Sequence, residues 1–454
     1  MAVAALTASP ASADAGINPV RIDDADPANS SFLVFVEDDV VLAGGESEGT
    51  VALGGDLRFA DGYNVMLKPG SGGFTTPTAA GDAKPFTLYV GGDVDWSRSG
   101  SSLLRVLDGG FTKVGGSNFT ALDRDSNGAA VNYRVVPRGA AYDTTPRIEG
   151  TAHQAPESVG APVGDLVDVA GAFTQYRDLS AQMGRCEQSV RPTDANGAAL
   201  PSPIPAGAQV YLTLDEGRTN VLNLAADELA GIGELSFRGT TPQPGTTLLV
   251  NVSGEEYDGR MPNQAGVSGT NAPWILWNFP TATAVTFTGG DSVEGTLYAP
   301  RAGLTWSAAQ NIEGNVIAQR FVHGAADGKG RTGSEIHDFP FRGTIDCVST
   351  EPTPTPTPTE PTAPTEPTAP TAPTAPTTPT EPTTPTQPTS PTDAPTTPTA
   401  SPSQGISGAT DTQDGDGSGV LPDTGGAPSW LLFTGALLLA AGAAGIGLGA
   451  RRRA

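Results

Sequence analysis

The sequence predicts a mainly β protein built as a parallel β-solenoid, a right-handed β-helix with one amphipathic helix packed against it. In residues 291–320, Val293, Glu294, Gly295, Leu297, Ala299 and Arg301 recur nineteen positions later as Ile312, Glu313, Gly314, Val316, Ala318 and Arg320. Alternating small or apolar residues at one interval describe two equivalent layers with like residues stacked. Gly-Gly-Asp recurs at Gly54, Gly91 and Gly289, the first two 37 residues apart, close to twice nineteen. Gly, Thr, Val and Ala are abundant, which suits short strands and many turns. An antiparallel sandwich with look-alike hairpins is the alternative, weakened because one interval preserves both apolar and glycine positions.

Residues 1–13, MAVAALTASPASA, close on an Ala-Ser-Ala pattern that fits a signal-peptide cleavage site before Asp14. They lack a positive n-region, so they read as a partial signal peptide. The β-domain follows over residues 31–348. Within it, residues 164–186 break the alternation: Leu166, Val169, Phe173, Tyr176, Leu179 and Met183 share one stripe of a 3.6-residue period, with Asp165 as the N-cap. The stripe predicts a helix of about five turns lying along the β-domain. Residues 246–254 and 272–290 are the most strongly apolar strands, and Trp274, Trp277 and Phe279 read as a seam between rungs and helix.

Residues 350–420 form a spacer. To about Ser403 it is nearly all Pro, Thr, Ala, Ser and Glu, which favours an extended polyproline II stalk; the remainder is polar and Gly-rich. Residues 430–450 then run without a charge, long enough to cross a bilayer as a helix, and Arg451, Arg452 and Arg453 head the positive tail, 451–454. The positive-inside rule leaves everything before Trp430 outside.

Between spacer and apolar run stand Leu421, Pro422, Asp423, Thr424 and Gly425. This LPDTG resembles the LPXTG cell-wall sorting signal of Gram-positive surface proteins, in the expected order of motif, apolar helix and positive tail. The resemblance implies that a sortase cleaves between Thr424 and Gly425 and joins Thr424 to peptidoglycan. It implies a secreted, wall-anchored protein whose precursor sits transiently in the plasma membrane, with the stalk carrying the domain through the wall.

The chemistry-bearing residues are sparse. Lys plus Arg number 25 against 49 Asp plus Glu, and the net charge of −24 argues against nucleic acid as a partner. With two cysteines, Cys186 and Cys347, no zinc cluster is built; in an exported chain they either form one bridge or remain buried thiols. His153, His323 and His337 belong to no zinc motif and read as structural or surface residues. Glu37, Asp38 and Asp39 form the densest acidic triplet, either a calcium collector with Asp56 or a solvated turn, the simpler account. Asn29, Asn118 and Asn251 begin weak Asn-x-Ser/Thr matches. Glu294 and Glu313 stack on neighbouring rungs; they are the basis of a runner-up reading as a polysaccharide hydrolase, against a simple surface ladder. No cofactor or metal is expected.

The order GGDL, the helix near Ala172, TLLVNVSG, WILWNFP, VEGTLYAP, IEGNVIAQ and EIHDFPFRG resembles the choice-of-anchor A domain across residues 31–346. Its clearest signatures here are Trp277, Asn278, Phe279 and Pro280, and His337, Asp338, Phe339, Pro340 and Phe341. Asp338 and Phe339 depart from the family's usual His-Asn-Tyr-Pro-Phe, which points to a structural closure. The resemblance implies a noncatalytic adhesive domain joined to a C-terminal anchor. Its ligand, whether extracellular protein, glycan or solid surface, stays open, and a structural wall-coat role is a further alternative.

Overall fold

The helix explains the first part of the architecture. The computed structural model describes residues 16–21, 32–66, 76–325 and 332–347, all within the first of two compact units, residues 1–360. The helix Val169–Met183 begins where the Asp168 side chain accepts the Gly171 N–H at 2.9 Å. Asp165, expected as the cap, lies instead in a separate 3-10 turn, Gly164–Leu166, and Val167 between them is extended (φ −139°). That extended residue breaks the hydrogen-bond ladder, so the helix starts three residues late and runs fifteen residues. Its buried residues include Ala172, Phe173, Tyr176, Leu179 and Met183.

The domain is mainly β, and most of its strands pair in parallel. The largest sheet orders its strands in space as Thr219–Ala225, Thr247–Ser253, Ile275–Asn278, Thr296–Trp306, Val316–His323, Val34–Val36, Val51–Leu53, Phe86–Val90 and Phe111–Val114, with a wing of Glu256–Met261, Ala284–Gly290, Val40–Leu42 and Leu57–Phe59 branching from Thr296–Trp306 and Val316–His323. A second sheet carries Val293–Glu294, Ile312–Glu313, Glu335–His337, Glu46–Ser47, Tyr63–Val65, Leu103–Val106 and Arg147–Gly150, then turns antiparallel at the hairpin Ala130–Pro137 and Phe119–Arg124. A third contains Ala208–Thr213, Ile232–Arg238 and Asn263–Ala265.

The strand order places the chain's two halves on either side of its first strand. Val34 pairs with Val316 on one side and with Val51 on the other. From there the N-terminal half builds outward one way. The helix then follows the largest sheet, and the C-terminal half builds back from Thr219–Ala225 to meet Val34–Val36.

The nineteen-residue repeat lies in register. Val293 pairs with Ile312, Glu294 with Glu313, Leu297 with Val316 and Ala299 with Ala318. Arg301 and Arg320 do not pair: the ladder shifts after Ala299, and Gly303 faces Arg320. The shift falls at Pro300, which has no N–H to give the ladder. The 37-residue interval likewise corresponds to one layer and not two, because Val51 pairs directly with Leu88. At that corner a Cβ on Gly91 would lie 2.5 Å from the Gly54 carbonyl oxygen, and one on Gly115 would lie 2.4 Å from that of Gly91. Only glycine lets the stacked backbones approach this closely.

The largest sheet is buried on both faces beside the helix, so its strands read as continuous apolar runs. Val250, Trp277 and Leu297 point into the main core, whereas Leu249, Leu276, Tyr298 and Phe35 point toward Phe173 and Tyr176. Trp277 and Phe279 therefore fill the β interior and do not form a seam with the helix; Trp274 is half-buried in a 3-10 turn, Ala272–Trp274. Trp277 Nε1 donates to the Glu294 carbonyl at 3.0 Å.

Asn278 forms the join. It stands in register with Asn251, and Asn251 with Asn223. Asn278 Nδ2 donates to Ser180 O at 3.0 Å and Asn251 Nδ2 to Met183 O at 2.7 Å. Asn223 Nδ2 donates to Cys186 O at 3.1 Å. The three amides thus tie the sheet to the last turn of the helix and the residues just after it, as second donors to Ser180 O and Met183 O, which also accept the Gly184 and Cys186 N–H groups. Asn278 Nδ2 also reaches Asn251 Oδ1 at 2.8 Å, and Asn251 Nδ2 reaches Asn223 Oδ1 at 2.9 Å. Asn251 is 4% exposed, so its Asn-x-Ser match has no room for a glycan. Nearby, Cys186 and Cys347 are joined by a disulfide with Cα atoms 5.9 Å apart.

Replacing Asn278 with Asp keeps the shape but removes the Nδ2 donors and places a carboxylate against two buried oxygens. We expect this change to cost about 3 kcal/mol in urea denaturation, more than Asn278→Ala. A loss below about 0.5 kcal/mol would show that the ladder does not hold the helix.

Candidate functional site

Two outward-facing surfaces of the described residues carry patterned side chains in register. The first is a wing of the largest sheet. Asp258 pairs with Thr286, Thr286 with Thr305, Thr305 with Val322, Val322 with Val41, and Val41 with Arg58. The side chains of one register row stand side by side at the strand spacing of about 4.8 Å, so the row spans roughly 24 Å. Its inward neighbours Val285, Leu304, Phe321 and Val40 are buried, whereas Thr286, Thr305, Val322 and Val41 are half-exposed. A second row on this face carries Ala284, Gly303 and Arg320. The middle of the face is thus formed by short side chains over a packed interior, with Asp258, Arg58 and Arg320 as its charged members. Nothing in the sequence alone marks it, because the aligned residues come from six separated segments.

The second surface lies on the sheet containing the repeated glutamates. Glu294 faces Glu313, and Glu313 faces His337. His337 Nδ1 bonds Glu313 Oε2 at 2.8 Å and its Nε2 bonds Glu335 Oε2 at 2.9 Å. Its pKa rises to about 9, first through the hydrogen bond to Glu313 and then through that to Glu335, with burial opposing. Glu294 is pushed up to about 7, mainly by burial and then by the negative charges of Glu313 and Asp291. Its Oε2 is buried without a hydrogen-bond partner among the described residues.

The remaining members of the closing signature serve packing. Phe341 is fully buried; its N–H donates to Asn315 Oδ1 at 2.8 Å, and its carbonyl accepts from Asn18 Nδ2 at 3.0 Å. The Asp338 N–H donates to Glu48 Oε2 at 3.2 Å, Pro340 is buried, and Phe339 is half-buried against Gly269. Pro280 closes the other signature by packing where a side chain on Gly184 would sit. His323 is wholly buried, and burial lowers its pKa to about 3. It bonds Tyr63 Oη at 2.8 Å and Ser334 Oγ at 3.0 Å.

The acidic triplet is a corner device. Glu37 pairs with Arg177 of the helix. Asp39 Oδ1 accepts the Asp56 N–H at 2.8 Å, Asp56 Oδ1 accepts that of Asp93 at 2.8 Å, and Asp93 Oδ1 accepts that of Ser117 at 2.8 Å. Each carboxylate thus caps the next layer's backbone. Within the triplet, then, Asp39 caps backbone and Glu37 ties to the helix; among the described residues there is no group of three or more His, Cys, Asp and Glu that could hold a metal ion. Residues 421–425 and 430–450 lie outside the described residues; among those described, no helix is long and apolar enough to cross a membrane.

The carboxyl cluster makes stability pH-dependent. Glu294, raised from 4.5 to about 7, contributes stability that is complete below pH 4.5 and lost as pH rises through 7. His337, raised from 6.5 to about 9, contributes stability complete below pH 6.5 and lost as pH rises through 9. Glu294→Gln keeps a neutral group at every pH. Its Tm relative to the native chain is therefore expected to be about 3 °C higher at pH 8 than at pH 4.5, as read by thermal denaturation, a shift typical of roughly 1 kcal/mol.

A search of characterised proteins finds no match to the chain. Among solved structures, the chain is similar to an ice binding protein from an Antarctic biological consortium, at 11% identity over 74% of this chain and 94% of that one, TM-score 0.25. It is also similar to the DUF3494 domain of Shewanella frigidimarina ice-binding protein 1, at 11% identity over 68% and 93%, TM-score 0.21. TM-scores this low do not define the arrangement of the strands. The family described as "Putative Ice-binding-like adhesive domain" matches residues 25–329. That match covers more than half of the sequence, and the chain belongs to this family of ice-binding-like adhesive domains.

Proposed function

We propose that this chain is a noncatalytic surface adhesin whose domain, residues 31–348, is a parallel β-solenoid presenting the Asp258–Arg58 register row as its adhesive face. The observation that carries this reading is the level run of Thr286, Thr305, Val322 and Val41 across neighbouring strands. A rigid lattice of short side chains meets an extended surface without ordering flexible groups, so many modest contacts add at small entropic cost. Membership in an adhesive-domain family supports the same conclusion.

The anchoring scheme completes the proposal. A sortase would recognise Leu421, Pro422, Asp423, Thr424 and Gly425 and link Thr424 to peptidoglycan, after export led by residues 1–13 and a pause at residues 430–450. Residues 350–420 would hold the domain beyond the wall as a stalk and spacer. The net charge of −24 would keep it away from the anionic polymers of its own envelope.

A polysaccharide hydrolase is the second reading, favoured by Glu294, whose pKa near 7 suits a general acid beside a second carboxyl, Glu313. Glu313 is, however, already bonded to His337, which makes the pair a cross-layer tie. One experiment separates the readings. Gram-positive cells carrying the full chain are tested for retention on protein-, polysaccharide- and ice-coated surfaces, with polysaccharide turnover followed in parallel and the wall-released protein weighed by mass spectrometry. The proposal predicts retention on at least one surface, a fall of about tenfold with Thr286→Tyr plus Thr305→Tyr, no turnover, and a chain ending at Thr424. Turnover abolished by Glu294→Gln, with retention absent, would overturn it.

A further inference from the structure

A third surface, distinct from the threonine row and from the glutamates, carries the chemistry of an anion site. In a chain of net charge −24, arginines converge where the antiparallel hairpin joins the second sheet. Arg105 and Arg134 stand in register on either side of Glu149. Glu149 Oε1 accepts Arg105 Nε at 3.0 Å, while its Oε2 accepts Arg147 Nε at 2.9 Å and lies 3.7 Å from Arg134 Nε. One carboxylate therefore orients three guanidinium groups through their Nε atoms. Arg134 is further fixed by Asp143 and by Tyr142, whose ring centroid lies 3.9 Å from its guanidinium carbon.

Beside this row is a cavity of about 450 Å³, lined by Arg105, Arg134, Tyr142, Asn132, Thr151 and His153 among others. Its size falls within the range of small-ligand pockets, about 300–1,000 Å³. The charges define the guest. Arg105, Arg134 and Arg147 face Glu149 and Asp143, leaving a surplus of one positive charge. A doubly charged phosphate would meet Glu149 without full compensation, whereas one carboxylate balances the site. Arg105, engaged only through Nε, keeps its Nη1–Nη2 edge for a carboxylate with two parallel N–H bonds, whereas Arg134, whose Nη1 donates to Tyr142 O and pairs with Asp143, has Nη2 to give, and the exposed Asn132 amide suits sugar hydroxyls.

We propose that this cavity binds a carboxylate-bearing sugar, such as one residue of an acidic polysaccharide, independently of the threonine row. Arg105 and Arg134 hold the carboxylate, Tyr142 backs Arg134, and the neutral side chains receive the ring hydroxyls.

Calorimetric titration of the full chain with trigalacturonate, its fully methyl-esterified form and inorganic phosphate tests this. Trigalacturonate is expected to bind, with its ester at least about tenfold weaker and phosphate weaker still. Arg105→Gln and Arg134→Gln are each expected to weaken binding about tenfold, and Arg105→Lys is not expected to retain it, because a lysine has no fork. Asn132→Trp keeps every charge and fills the cavity from an exposed position; it is expected to abolish binding with the melting temperature unchanged. The proposal fails if trigalacturonate does not bind at millimolar concentration. It also fails if the ester binds equally well, if phosphate or an acidic peptide binds more tightly, or if Asn132→Trp leaves binding intact.

Discussion

Strand Val34–Val36 has two neighbours, and they come from opposite halves of the chain. Its Val34 N–H donates to Thr50 O at 3.0 Å, the next layer in sequence. On the other side Glu37 N–H donates to Ala318 O at 3.1 Å, and Val316 N–H donates to Leu33 O at 2.9 Å. The C-terminal layers therefore end on a sheet edge that only the N-terminal segment fills. Open edges in parallel stacks invite pairing with other chains, so this seam joins the halves and removes an exposed edge from the middle of the domain. The level outer rows, the buried glutamates and the helix's resting place all require that register.

The helix has its own stake in the seam. Phe35, on the seam strand, packs its ring 5.6 Å from Phe173 and 6.0 Å from Tyr176. Tyr298, one layer into the C-terminal half, packs 5.7 Å from Tyr176 and donates to Tyr176 O at 3.3 Å. The helix thus spans both halves, with the asparagine ladder holding its C-terminal end and Asp168 starting it. The wing carries the row of short side chains. The helix and the row thus both stand on the side of this sheet turned away from the main core, on stretches of strand separated at Pro300.

Much of the scaffold was legible in local sequence. The interval joining Val293 to Ile312 and Leu297 to Val316 shows because those layers are consecutive and of similar length. The helical stripe shows because Phe173, Tyr176 and Met183 obey a local period. What escaped is non-local. Asp168 displaces Asp165 because the conformation of Val167 is not written in any pattern, and Arg301 slips from Arg320 at a proline whose effect depends on its partner strand. Trp277 looks like a seam residue until the alternation is assigned a direction. The asparagine ladder, the threonine row and the Arg–Glu–Arg row each align residues tens of positions apart at unequal intervals. Their signal is register, and no single stretch of sequence carries it.

Amide hydrogen exchange at the seam measures the central claim most directly. If strand Val34–Val36 joins both halves into one cooperative body, the amides of Val34, Glu37 and Val316 will show protection within about tenfold of amides in strand Thr247–Ser253, all opening together. Exchange at Val34 and Glu37 about a thousandfold faster than in that strand, or separate unfolding of the two halves, would contradict it.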